Sequence, residues 1–296
     1  MTTSSRRPTQ RRRTPRAPRE LRAAGLSARK SLGQHFLTDT RALRRIAAAC
    51  ELREGETAIE IGAGLGALTA ELSPRATHVV AIELDRGLAE QLRQRFAGTN
   101  VSIVEGDARE LAPAELLAHA GDAGAYVVAG NLPYNVAQPL LRHYLEARPA
   151  PRRLVVTVQA EVADNIVARP GAMTLLSVSV QLYGEPRVLF RLPPTAFYPP
   201  PKVRSAVVRI DVAPQARAQV ADIDAFFRVA RAGFSTRRKQ LRNALANGLA
   251  VDAATAADLL AAAHIDPTLR AQALSLDGWA ALERAWLQAG RPENAS

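Results

Sequence analysis

The chain has 296 residues, 47 % of them apolar, enough for one large domain or a large one with a small companion around a substantial core. The net charge of +11 suggests a polyanionic partner, yet residues 1–30 hold ten Lys/Arg against one acid while residues 31–296 hold 29 against 27, so the folded part is nearly balanced. One cysteine, Cys50, excludes an internal disulfide, the scattered histidines offer no metal-ligand spacing, and no apolar run approaches a membrane span, so a reducing cytoplasm is expected.

Residues 1–26 mix Arg with Ser, Thr and Pro without apolar periodicity and are expected to form a disordered basic tail. An arm that neutralises RNA phosphates suits it; an organellar transit peptide is the rival, weakened by the repeated prolines. The stretch Lys30 to Leu37, KSLGQHFL, reads as a lead-in loop, and Asp39 as the N-cap of a helix over 40–50.

The pattern is strongest over 57–107. Residues 57–61 predict a strand, Gly62-Ala63-Gly64-Leu65-Gly66 a tight turn, and Ala67 onward a helix. Residues 78–82 predict a second strand ending in Glu83, and 101–104 a third followed by Glu105-Gly106-Asp107. Strands alternating with helices imply a doubly wound parallel sheet. An acid ending the second strand can accept from ribose hydroxyls, and one after the third from an adenine amino group.

The glycine turn alone is ambiguous, because Gly62-x-Gly64-x-x-Ala67 with Glu83 downstream also satisfies the dinucleotide fingerprint. Glu60 argues against it: a carboxylate beside the turn repels a pyrophosphate and tolerates an ammonium group. S-adenosylmethionine has adenine, ribose, a sulfonium and an amino acid but no phosphate, so Glu60, Gly62, Gly64, Glu83 and Asp107 fit it better than a nicotinamide dinucleotide.

An apolar run over 125–130 predicts another buried strand, and it delivers Asn131-Leu132-Pro133-Tyr134 to a strand's carboxyl end, where open α/β sheets bind ligands. An amide and a main-chain carbonyl beside proline can accept both hydrogens of an exocyclic amine, and Tyr134 can stack on the base. Helix is expected over 138–147, strand over 154–158, a helical stretch from Gln159, and strand over 185–192. Five prolines between Pro193 and Pro201 make a stiff loop carrying Phe197, a candidate second stacking face. Residues 205–210 are expected to close the sheet. Beyond about 214, helical patterns near 220–234, 237–249, 252–264 and 276–288 suggest a small helical domain, whose Arg237, Arg238, Lys239 and Arg242 would face phosphates. The expected division is therefore a tail at 1–26, an α/β domain at 27–214 and a helical, RNA-contacting domain at 215–296.

With these motifs assembled, the chain resembles the ribosomal RNA adenine dimethyltransferases, specifically the KsgA family. The resemblance rests on LGQHFL, EIGAGLGALT, VVAIELD, EGDA, GNLPYN, RLPPTAFYPPPKVRSAVVRI and FSTRRKQLRNAL, and spans about 27–287. It implies a class I, Rossmann-like methyltransferase sheet with a C-terminal helical domain. The implied activity is transfer of methyl groups from S-adenosylmethionine to N6 of two adjacent adenosines in the 3′-terminal hairpin of small-subunit rRNA. Cofactor contacts carried over by motif fall on His35, Leu37, Gly62, Glu83, Asp107 and Asn131. The target base falls among Asn131, Leu132, Pro133, Tyr134 and Phe197, with Lys202 joining the RNA contacts. The expected partner is the immature small subunit, met by a monomer. His35, Ala137 and Ala160 depart from the commonest pattern, where Asn, Ser or Thr, and Lys are frequent. Macrolide-resistance methyltransferases acting on large-subunit rRNA are the rival within the enzyme class. A non-catalytic assembly factor or mitochondrial transcription factor is the rival outside it, and an NAD-dependent oxidoreductase comes third.

Overall fold

A computed structural model describes residues 32–121 and 124–290, together with Pro18, 21–22 and 27–29. Most of the expected basic tail lies outside the described residues; within it, Leu21 is buried in one apolar cluster with Phe36 and Leu88.

A short strand, β1 (Phe36–Leu37), leads into α1 (Thr40–Ala49), where the Asp39 carboxylate accepts from the Ala42 amide at 3.0 Å. Strands and helices then alternate: β2 (Thr57–Ile61), α2 (Ala67–Leu72), β3 (His78–Glu83), α3 (Arg86–Arg95), β4 (Val101–Glu105), α4 (Pro113–Ala118), β5 (Tyr126–Asn131), α5 (Ala137–Leu145), β6 (Arg153–Gln159) and α6 (Ala160–Ile166). Then follow α7 (Leu175–Tyr183), β7 (Gly184–Leu192), β8 (Phe197–Tyr198) and β9 (Ser205–Val212). The seven-stranded order is β4-β3-β2-β5-β6-β9-β7, with β2 to β6 parallel and β9 antiparallel to both neighbours. The first and eighth strands, β1 and β8, pair separately, Leu37 facing Phe197 and Phe36 facing Tyr198.

One expectation is corrected by the strand order. The strand over 205–210 does not close the sheet: β9 is internal and β7 forms the edge. Residues 205–210 are buried throughout, which suits a central strand, whereas β7 exposes Glu185, Arg187 and Arg191 to solvent or near it. The segment Leu175–Tyr183, on which the sequence supports no expectation, is helical. A reciprocal pair of hydrogen bonds between Thr174 and Ser177 caps it, and it packs against α5 on one side and the C-terminal helices on the other.

Those helices are α8 (Ile223–Phe234), α9 (Leu241–Leu249), α10 (Ala253–Ala262) and α11 (Leu276–Gln288). The helix expected from 237 begins at Leu241. Gln240 is extended, and the Leu241 amide donates to the Leu269 carbonyl at 2.7 Å, so Arg237, Arg238 and Lys239 lie in the preceding turn. Phe226, Trp279 and Trp286 of this bundle share one apolar cluster with Ile59 and Val128 of the sheet and Leu141 of α5. The bundle is thereby fused to the sheet, each fully buried Ile or Leu contributing about 1.5–3 kcal/mol. Among the described residues no single helix is long and apolar enough to cross a membrane.

The chain runs outward from β2 to β4 and then returns to β5 beside β2. Their carboxyl ends therefore flank the point where the winding reverses, where a crevice opens.

Candidate active site

The crevice holds a cavity of about 250 Å³. Its wall brings together His35, Gly62, Gly64, Glu83, Asp107, Asn131, Leu132, Pro133 and Tyr134, residues spread over a hundred positions of sequence. An adjoining recess of about 40 Å³ shares Gly62, Gly64 and Asn131 with it and adds Leu37 and Glu60. Phe197 lines neither. It is 1 % exposed in the apolar layer beneath Leu37, and releasing such a ring to stack on a base would forfeit roughly 1.5–3 kcal/mol of burial.

The turn after β2 is left-handed at Gly62 (φ +70°) and Gly64 (φ +57°), and a Cβ on Gly64 would stand 3.0 Å from the Phe36 ring. This lets the Gly64 amide reach Glu83 Oε2 at 2.7 Å, while the Asp85 amide donates to Oε1 at 2.8 Å. Glu83 is thus held by main-chain donors alone, and burial pushes its carboxyl up despite them. Glu60 is 2 % exposed and accepts from Thr69 Oγ1 at 2.5 Å; burial pushes it up to about 8, with Glu83 adding to the effect. Near neutral pH, then, Glu60 is largely a carboxylic acid, and its case against a pyrophosphate is weaker than a fixed carboxylate would make it. A cation arriving beside it would favour ionisation.

Asp107 follows β4, and Arg109 grips it: Nε lies 3.0 and 3.1 Å from the two carboxylate oxygens, and Nη2 lies 2.5 Å from Oδ2. These bonds hold the Asp107 carboxyl below its ordinary range. Arg109 also lines the cavity, as do Leu84, which is 51 % exposed, and Ala108. Sequence reasoning missed all three. Their position directly after the two acidic strand ends is the signal that marks them, since side chains following such acids flank whatever the acids bind.

At the other wall, Asn131 Nδ2 donates to the His35 carbonyl at 2.7 Å, which fixes the amide orientation because a carbonyl only accepts. Asn131 Oδ1 is then left buried without a hydrogen-bond partner among the described residues. An orphaned buried acceptor costs about 1–3 kcal/mol, so this atom is set for a donor from a ligand. His35 Nδ1 donates to the Pro199 carbonyl at 2.7 Å, and its ring stands beside Tyr134 at a centroid distance of 5.7 Å and 25° between planes. The Tyr134 hydroxyl meets Ser205 Oγ at 2.6 Å. Lys202 is exposed three residues before Ser205. Arg237, Arg238, Lys239 and Arg242 are exposed on the helical bundle, and none of the four lines the cavity.

Comparison with known proteins shows the family. Residues 25–282 match the family model for ribosomal RNA adenine dimethylase. The chain belongs to that family. Curated relatives include the ribosomal RNA small subunit methyltransferase A of Dehalococcoides mccartyi, 47 % identical over 86 % of this chain and 87 % of that protein. The protein of the same name from Moorella thermoacetica is 43 % identical over 89 % and 94 %. A dimethyladenosine transferase from Plasmodium falciparum shares the fold with a TM-score of 0.74 at 24 % identity, covering 87 % of this chain and 99 % of its own. The 23S rRNA methyltransferase ErmE does so at 0.67 and 24 %, covering 84 % and 98 %. The α/β architecture with its helical C-terminal region is that of the class I rRNA methyltransferases, and the chain is an enzyme of that class.

Proposed function

We propose that this protein is an S-adenosylmethionine-dependent dimethyltransferase that modifies N6 of two adjacent adenosines in the 3′-terminal hairpin of small-subunit rRNA. It would act as a monomer, in the cytoplasm, on the immature subunit. The observation that carries this reading is the orphaned Asn131 Oδ1, buried at the crevice between a glycine turn and a tyrosine ring. The relatives at 43–47 % identity that bear a small-subunit name favour that substrate over large-subunit rRNA.

The residues present suit the cofactor. Glu83, fixed by the Gly64 and Asp85 amides, keeps acceptor capacity for ribose hydroxyls, and Asp107 does so for an adenine amine. The recess with Glu60, Leu37 and the Gly62–Gly64 turn suits a cationic amino-acid moiety. Bound there, S-adenosylmethionine supplies an activated methyl group open to direct displacement by an amine nitrogen.

The chain's own task is to position that nitrogen. Asn131 Oδ1 accepts one hydrogen of the base amine. The Pro133 carbonyl is engaged by the Val136 amide at 3.1 Å, which leaves the Leu132 carbonyl as the main-chain acceptor for the other. Two acceptors on one amine draw its lone pair away from the ring and aim it at the cofactor side of the crevice. Tyr134 supplies the stacking face. Because the base must leave its own stack, a splayed hairpin loop suits the site. No general base is required, since the proton can leave after attack.

The test is Asn131→Ala. Methyl transfer to undermethylated small subunits should fall by about 10²–10³-fold while S-adenosylhomocysteine binding changes far less. A variant that keeps near-wild-type transfer overturns the reading. Parallel assays on separated subunits distinguish small-subunit from large-subunit substrates.

A further inference from the structure

Ser205 opens β9 and is fully buried, and the strand continues inward with Ala206, Val207, Val208 and Ile210. A hydroxyl in that apolar run is costly unless paired. Among the described residues its side chain meets one partner, the Tyr134 hydroxyl at 2.6 Å. The contact crosses the sheet. Ser205 faces Gln159 on β6, and Thr157 of β6 faces Asn131 on β5, so the loop after β5 is tied over β6 to the start of β9. The main-chain ladder already sets the β6–β9 register, so the hydroxyl pair is not needed to align the strands.

Tyr134 does need holding. It sits in a turn closed by the Val136 amide and the Pro133 carbonyl, outside any strand or helix that would orient its ring. Burial also keeps the phenol protonated by pushing it up, so its hydroxyl stays able to donate. A phenylalanine would offer the same face to a base. What the tyrosine adds is a tip that can be anchored.

We propose that Ser205 is a positioning residue for methyl transfer: its hydroxyl bond to Tyr134 sets the plane of the ring on which the acceptor base stacks. This rests on the reading of Tyr134 as the stacking face. Without the tether the ring samples rotations about its side-chain bonds, and fewer bound adenosines reach a productive pose. The loss therefore falls on turnover with bound substrate, while Glu83 and Asp107, bonded to Gly64, Asp85 and Arg109, take no part in the tether.

The experiment uses the full-length protein with undermethylated small subunits, comparing Tyr134→Phe, Ser205→Ala, the double variant and Tyr134→Ala. Turnover and subunit KM are read from methyl incorporation, and S-adenosylhomocysteine affinity from calorimetry. Tyr134→Phe and Ser205→Ala should each lower kcat by about 5–20-fold, and the double variant should lose no more than either alone. Affinity for S-adenosylhomocysteine should stay within about twofold of wild type. Tyr134→Phe removes the bond at a half-buried position without disturbing β9, so the idea survives a folding defect in Ser205→Ala. Wild-type turnover in Tyr134→Phe, or additive losses in the double variant, overturns it. If Tyr134→Ala also retains wild-type turnover, the stacking role itself has failed; if it alone loses activity, the stacking role stands and the tether does not.

Discussion

At the amino-terminal end of the sheet, Glu56, Glu51 and Asp211 meet Arg152, Arg153 and Arg209; at the carboxyl end, Glu60 and Glu83 meet only hydroxyl and amide groups. Arg152 holds Glu56 with two bonds of 2.5 and 2.7 Å, and Arg153 spans Asp211 at 2.6 Å and Glu51 at 2.8 Å. Burial works against Glu56 and Asp211, yet hydrogen bonds from Arg152 to the first and from Arg209 and Arg153 to the second keep both below the usual carboxylate range. At the other end burial wins, and Glu60 and Glu83 rise. The same side chain is thus a fastener at one end of the strands and a destabilising vacancy for positive charge at the other. Charge pairing supports the fold where no ligand comes; among the described residues it is withheld from Glu60 and Glu83, while Asp107 in the same crevice keeps Arg109 as a partner.

Arg153→Ala tests the fastened end and should destabilise the fold. Its side chain is 7 % exposed and also donates to the Cys50 carbonyl at 3.1 Å, so truncation strips partners from two acids and a buried carbonyl. Because Arg209 still bonds both acids, a loss of about 1–3 kcal/mol, chiefly from the buried Cys50 carbonyl, is expected by denaturant titration, with S-adenosylhomocysteine affinity unchanged. A loss below about 1 kcal/mol would mean that these ion pairs are incidental.

Glu60→Gln probes the opposite end and should move two properties in opposite directions. The folded-state value of about 8 lies above the ordinary 4.5, so the native protein holds its proton longer than the unfolded chain does. That contribution is complete below pH 4.5 and is lost as pH rises through 8. Glutamine keeps an acceptor for Thr69 and cannot ionise. The variant should gain about 2–4 kcal/mol at pH 8 relative to wild type and flatten the pH profile. It should also bind S-adenosylhomocysteine more weakly, the expected trade between stability and a poised site. Unchanged stability at pH 8 would break the comparison.

The contrast also explains what could be read in advance. Strands β2, β3 and β5 are near-continuous apolar runs because both faces are covered, while β4 at the edge is half-buried, and each is closed by a residue that suits no core: Gly62, Glu83, Asp107 beyond β4, and Asn131. Those local breaks mark the crevice. What stayed hidden depends on distant pairing. The Arg109 grip on Asp107 has a separation of two and was readable in principle. His35 with Pro199 and Tyr134 with Ser205 are 164 and 71 residues apart, and no periodicity encodes them. Phe197 on its proline-stiffened loop looks like a presented ring. Its pairing opposite Leu37 turns it into the core, a packing outcome that only the β1–β8 contact decides. Helix α7 was obscured for a similar reason, since its burial on several sides removes the polar face that would reveal a period of 3.6.

Glu51 sharpens the comparison most finely, because it belongs to the fastened end but reaches into solvent. Hydrogen bonds from Arg209 and then Arg153 take its carboxyl down to about 2, yet the side chain is 58 % exposed. A lowered value means that the native state releases the proton more readily, so this stabilising contribution is complete above pH 4.5 and is lost as pH falls through 2. Solvent screening shrinks it well below what the shift alone implies, to under about 1 kcal/mol. Glu51→Gln should therefore leave stability at pH 7 nearly unchanged and remove part of the acid-side decline, with the difference shrinking further in high salt. Its slope with pH is opposite in sign to that of Glu60, so urea titrations across pH 3 to 9 separate the two ends by direction as well as size. Should Glu51→Gln cost as much as Arg153→Ala, the buried arginines would owe their effect to the exposed acid, and the fastening would reside at the surface rather than within the sheet.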